Sequence, residues 1–288
     1  MTALATVLAF SSAFCFGLGL VLTQIGLRHL TPLAGAAISI PSSTLLFVAL
    51  APVMLAHVTP VWAAMPIFVA VGLVYPGVVT LMTFEANRVL GPVITGALGN
   101  LAPLFAVAVA VVVLSEPLRA LQFAGILAIV AGVVVLTFRG DGEGARWRSW
   151  YLLLPLVAAA MRGLIQPSIK FGLDIWPSAF AAALISYIMS SAVVVAAARL
   201  RTGRFLAPPS GYGRVWFVAV GISNGLAVLL MYAALANGPV ALVSPLVATY
   251  PLATALLGAL LLGKAERGMP AIVGAVLTVA GGVVLLVA

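Results

Sequence analysis

Arg162 stands in the middle of an apolar stretch covering roughly residues 150–172, where a charge has few reasons to be. Gln166 and Lys170 follow at four-residue steps, which places all three on one face of a helix. A guanidinium on such a stripe suits a carboxylate, which it can grip through two parallel hydrogen bonds. The competing account is that Arg162 snorkels or bonds a helix-end carbonyl, and for Lys170, nearer the end of the stretch, simple snorkelling is expected. A second pattern pairs polar residues with proline inside apolar runs: Asn100 three residues before Pro103, and Tyr250 immediately before Pro251. Proline frees a backbone carbonyl and bends a helix, so Asn100 and Tyr250 are candidate binding residues and Pro103 and Pro251 candidate hinges. Interhelical hydrogen-bond glue is the alternative for Asn100. Tyr75, Asn224, Tyr232, Gln24 and Tyr187 complete the set of candidate binding residues.

Other chemistry finds little footing. Cys15 is alone and His29 and His57 stand apart at loop edges, so no metal cluster is expected. No Gly-Lys-Ser/Thr phosphate loop occurs, and no cofactor is expected. Of the six acids, Asp141 and Glu143 fall in a loop, Asp174 at a boundary, and Glu116 and Glu266 at helix ends. Glu85 lies within salt-bridge spacing of Arg88, near the end of its apolar run. No carboxylate is expected at a bilayer centre, where a proton relay would need one.

The elements that must position these residues follow from composition. The chain is 64% hydrophobic and 7% charged, with a mean hydropathy of +1.26. A soluble domain carries about 25% charged residues, which excludes a soluble enzyme, a nucleic-acid binder and a disordered chain. A bilayer core needs roughly 20 apolar residues per helix. Ten such segments are expected, at about 3–27, 33–56, 61–86, 92–114, 119–138, 150–172, 178–198, 213–236, 239–262 and 269–287, with the weakest breaks at 86–92 and 236–239. The first has no Lys or Arg before it and is not expected to be a cleaved signal peptide. Loops after the odd-numbered spans hold eleven Lys or Arg and those on the opposite side only Arg119 and Lys170, so both termini are expected away from the cytoplasm. Trp62, Trp147, Trp150, Trp176 and Trp216 fit an aromatic belt at span edges.

The second half restates the first. Residues 125–136 and 274–285 agree at seven of twelve positions, Gly91-Pro92-Val93 recurs as Gly238-Pro239-Val240, and Glu116 recurs as Glu266. Five spans per half invert one half against the other, the architecture of alternating-access carriers. The fold expected is an all-α membrane protein of ten transmembrane helices, built as two inverted five-helix repeats, 1–145 and 146–288, around a central cavity.

Ser115-Glu116-Pro117-Leu118 followed by Gln122, Gly125 and Gly132, with Gly263, Glu266, Gly274 and Gly281 in the second half, resembles the helix 4–5 signature of the drug/metabolite transporter superfamily, EamA family. Phe16-Gly17 with Gln24, and Arg162-Gly163 with Lys170, stand where that family places its Trp-Gly and a later basic residue. The resemblance covers the whole chain and implies an exporter or facilitator of amino acids or related metabolites in the inner (plasma) membrane. The arginine often found in the second helix of each repeat, near Pro41 and Ser186, is missing here. A small-molecule substrate and the lipid bilayer are the expected partners. The mechanism favoured is uncoupled facilitation or exchange. Its rivals are a proton-coupled drug or metabolite exporter and a nucleotide-sugar or sugar-phosphate carrier.

Overall fold

Helix is the only way this backbone can satisfy its own polar groups in hydrocarbon without closing a barrel. A computed structural model describes residues 2–99, 101–137, 149–203, 211–262 and 269–287, and among them every regular element is helical. In chain order these are α1 (Thr2–Gly26), α2 (Pro32–Met54), α3 (Met65–Val74), α4 (Gly77–Gly99), α5 (Ala102–Val113), α6 (Ala120–Thr137), α7 (Leu153–Ile175), α8 (Ala179–Thr202), α9 (Gly211–Asn237), α10 (Val240–Val247), α11 (Tyr250–Leu262) and α12 (Met269–Val287), with a short 3₁₀ turn (Ser149–Leu152) before α7. Among the described residues, seven segments are long and apolar enough to cross a membrane. Three shorter apolar helices, Ala102–Val113, Ala120–Val135 and Val273–Val284, overlap the remaining three expected spans. Large apolar side chains cover the outside of the bundle, with Leu200, Val112, Val53 and Val287 each more than three-quarters exposed, as suits lipid contact. This is a multi-pass membrane protein.

Several ends have legible causes. Thr31 accepts a hydrogen bond from the Ala34 amide at the start of α2, with Pro32 in the first turn where its missing N–H costs nothing. Ser178 does the same for α8 through the Ala181 amide. That helix ends on Gly203 at φ +70°, a left-handed conformation that glycine adopts without strain.

One expected boundary moves. The sequence suggests a break at 86–92, but α4 runs through it, carrying Gly91-Pro92 inside the helix. The break comes earlier, at Tyr75-Pro76, where Tyr75 is extended (φ −127°, ψ 134°) as a residue before proline prefers to be. A proline inside a membrane helix is tolerated because the alternative, an open backbone in lipid, costs more. Two further interruptions fall at matched places. α4 ends at Gly99 and α5 starts at Ala102, just before Pro103, while α10 gives way to α11 at Ala248-Thr249, just before Tyr250-Pro251.

The helices associate through small residues and hydroxyls. On α6 a Cβ at Gly132 would sit 2.5 Å from the Thr278 amide nitrogen and 2.8 Å from the Gly274 carbonyl of α12. A Cβ at Gly281 would meet the Gly125 carbonyl and Ile129 amide nitrogen of α6, each at 2.7 Å. The backbones cross at glycine contact, the close approach that drives membrane-helix pairing. A hydroxyl belt joins α2 and α8 to their neighbours. Thr44 Oγ1 and Ser191 Oγ share a hydrogen bond at 2.7 Å. Ser43 donates to the Gly221 carbonyl of α9 at 2.6 Å, and Ser190 donates to the Gly72 carbonyl of α3 at 2.6 Å. These bonds come in pairs: Thr44 and Ser191, like Ser43 and Ser190, are 147 residues apart, and Gly72 and Gly221 are 149 apart.

Candidate functional site

The stripe on α7 divides by depth. Lys170 forms an ion pair with Asp174 at 2.8 Å, near the end of the helix, and Asp174 is largely exposed. Gln166 is buried, and its Oε1 has no hydrogen-bond partner. Arg162 is half-buried and reaches towards α4: its Nη2 donates to Thr83 Oγ1 at 3.4 Å, and its Nη1 would lie 3.9 Å from a Cβ placed on Gly99. The guanidinium therefore sits where α4 ends and α5 begins. Gly163 makes this possible, because a side chain there would strike the Ala102 carbonyl at 2.7 Å. The opposite break is gripped in the same way. A Cβ on Gly17 of α1 would meet the Thr254 amide nitrogen at 2.9 Å and the Tyr250 carbonyl at 3.0 Å, while Phe16 packs on the Tyr250 ring at 6.4 Å between centroids.

Tyrosines from four elements form a connected group that reaches Arg162 through Tyr75. Tyr75, at the end of α3, is buried within electrostatic reach of the Arg162 guanidinium and of the Tyr250 hydroxyl. Tyr187 of α8 lies next along, in reach of Tyr75 and Tyr232, with the Ser43 hydroxyl beside it and Phe47 edge-on to its ring at 5.2 Å. Tyr232 of α9 is fully buried close to Ser186, yet its hydroxyl completes no hydrogen bond. A third buried polar atom without a partner, after Gln166 Oε1 and the Tyr232 hydroxyl, is the Ser244 hydroxyl on α10. Buried polar atoms that lack partners are costly and call for a ligand or water to satisfy them.

Of the residues singled out from sequence, then, Arg162, Tyr75, Tyr187, Tyr232 and Tyr250 come together, and Gln166 lies one turn along α7 from Arg162. Pro103 and Pro251 each occupy the second position of the helix that follows a break. Asn224 packs in the α1–α9 contact against Gly19. Gln24 does not join the group. Thr23 and Gly26 take the buried face at the end of α1, which turns Gln24 outward, and it is exposed. Asn100 and Glu266 lie outside the described residues, as does the side chain of Arg88, the partner suggested for Glu85. The sequence reading gives no role to Thr83 or to the hydroxyls of α2 and α8. The recurrence of Ser39-x3-Ser43-Thr44 as Ser186-x3-Ser190-Ser191 carried the second signal. An apolar cleft of about 470 Å³ between α3 and α7, lined by Ile67, Val71, Met161 and Leu164 among others, opens on the outer flank and holds no polar chemistry beyond Ser168.

The model of the EamA-like transporter family matches the chain twice, over residues 3–138 and 148–287. The chain belongs to this family. Members of this family are transporters, and membership suggests membrane transport of small molecules. A solved structure titled only as the crystal structure of a protein is similar to this EamA-like chain at 21% identity, with a TM-score of 0.77 over 97% of this chain and 95% of the other. That likeness speaks for the shared fold. No curated protein sequence matches.

Proposed function

We propose that this EamA-like protein carries small zwitterionic metabolites, foremost amino acids, across the inner membrane by alternating access between two inverted five-helix halves. The observation that carries the reading is Arg162, a guanidinium held at the break between α4 and α5 and facing Tyr75. A cation at that depth is expensive unless it faces a wet cavity or a ligand. The faces of Tyr75 and the tyrosines beyond it suit the apolar side chain or the ammonium of a substrate. Interrupted helices at matched places are what transporter sites at a repeat interface are built from. The paired glycine and hydroxyl contacts, related by 147–149 residues, support the inverted halves and the ten spans. The division at 145/146 and the termini outside the cytoplasm belong to the same reading.

The energy source proposed is the substrate's own gradient. The test is flux in liposomes with purified protein and a panel of radiolabelled amino acids, amines and phosphorylated sugars, with no pH gradient imposed. Uptake of amino acids that Arg162→Ala weakens supports the reading. Uptake of amines or sugar phosphates in preference to amino acids overturns it.

A further inference from the structure

Beyond the last turn of α5, Ser115 takes φ +55°, the one non-glycine left-handed residue among those described. A side chain with a Cβ adopts that conformation at a steric cost, and such outliers persist where the surroundings fix them. What the backbone gains is the direction of Glu116. Its amide bonds back to the Ala110 carbonyl at 3.2 Å, and its half-buried carboxylate crosses to the second half of the chain. There Oε1 accepts from the Val240 amide at 2.9 Å and Oε2 from the Ala241 amide at 3.0 Å. These are the first two amides of α10, and Pro239, the residue before them, has no side-chain oxygen to cap them. A carboxylate spread over two amides at a helix start is a charge-assisted cap, strengthened by the helix dipole. The helix it holds is the one whose far end breaks at Ala248-Thr249, against Tyr250.

We propose that Ser115-Glu116 is a latch. It ties the end of α5 to the start of α10, so that this end of the central cavity stays closed until the two amides are released. Transport would then require Glu116 to let go of α10 in each cycle. This rests on the reading that the cavity opens alternately to the two faces, and it is independent of which solute is carried.

The experiment places a single cysteine at the α10–α11 break, Ala248→Cys in a Cys15→Ala background, and follows its labelling by a membrane-impermeant maleimide from each face of proteoliposomes. Ala248 is 8% exposed, and cysteine adds one atom there. With the latch intact, labelling from the Glu116 face is slow. Glu116→Gln retains the size but replaces one acceptor oxygen with a donor, and should raise that rate about tenfold, the equivalent of one charge-assisted bond. Val240→Pro deletes the amide that Oε1 receives. Proline fits this first helical position, and Pro239 already has the extended backbone (φ −71°, ψ 151°) that a residue before proline requires. It too should accelerate labelling, and it carries the test should Glu116→Gln not accumulate. Ser115→Gly keeps the carboxylate and relieves the strain, so it should label as slowly as the parent. Slow labelling from the Glu116 face in folded Glu116→Gln and Val240→Pro overturns the latch. Equal rates from both faces in the parent overturn alternation itself, a different outcome with a different reading.

Discussion

A guanidinium at the centre of a membrane helix costs about 2.5–3.5 kcal/mol on insertion scales, so Arg162 has to be offset by something it touches. Its one described hydrogen bond, to Thr83 at 3.4 Å, is long for a bond from a charged donor. That leaves capacity for a carboxylate. Replacing Arg162 with alanine should remove a charge-assisted interaction of about 1.5–3 kcal/mol, roughly ten- to a hundredfold in substrate affinity. Arg162→Lys should restore only part of it, because an ammonium lacks the planar fork. Competition binding with an amino acid and its decarboxylated amine separates the roles: the amine, with no carboxylate to lose, should bind parent and Arg162→Ala alike. Equal loss for both ligands would make Arg162 structural. Glu85 is the residue on which the energetics turn, since it is half-buried on α4 two positions from Thr83. Under the uncoupled reading, Glu85→Gln should leave counterflow exchange intact and should not change its response to an imposed pH gradient. Strict proton dependence abolished by that substitution would assign Glu85 the relay instead.

Contacts between elements turn on backbone approach more than on side-chain fit. The crossing of α6 and α12 leaves no room at Gly132 or Gly281, whereas a Cβ on Gly282, one residue on, meets nothing within 4 Å. Gly281→Leu should therefore destabilise the fold by about 1–3 kcal/mol or more through forced separation of the helices. Gly282→Ala should be neutral or stabilising by about 0.4–1 kcal/mol, from lost freedom in the unfolded chain. Thermal melts of the two variants in detergent compare them directly, and equal melting points would discount the crossing. Much at this scale was legible in the sequence, because Gly125, Gly132, Gly274 and Gly281 recur in register and small residues in membrane helices mark contact faces. The helix breaks beside Pro103 and Pro251 were legible for the same local reason. The course of α4 through Gly91-Pro92 was not, since proline punctuates a soluble helix more strictly than one in lipid. Nor was the inward face of each polar residue. Gln24 and Tyr232 have similar surroundings in sequence, and only the packing of α1 and α9 turns one out and the other in.

For the whole molecule, the direction in which the bundle is inserted is decided outside the helices. Charge in the short loops is what the insertion machinery reads, and under the proposed ten-span arrangement it is lopsided: eleven Lys or Arg would lie on one side and two on the other, with Arg162 in a span. Glu116, near Arg119, lies at the end of α5 where α10 begins, on the side poor in basic residues, so the latch would close the non-cytoplasmic mouth. Gradient-driven carriage needs no particular orientation, but the assignment of mouths does. A reporter that works only outside the cytoplasm, fused after Ala288, should be active, and the same reporter inserted between residues 140 and 148 should be silent. A cytoplasmic reporter should give the reverse at both positions. Because ten of these basic residues are spread over four inter-span segments, with Arg88 inside α4, moving one should not flip the protein. Neutralising Arg199, Arg201, Arg204 and Arg214 together while adding Lys beside Thr59 should begin to mix the two orientations. Activity of the terminal fusion on the cytoplasmic side in the unaltered protein would reverse the assignment, and with it the face from which releasing Glu116 exposes the cavity.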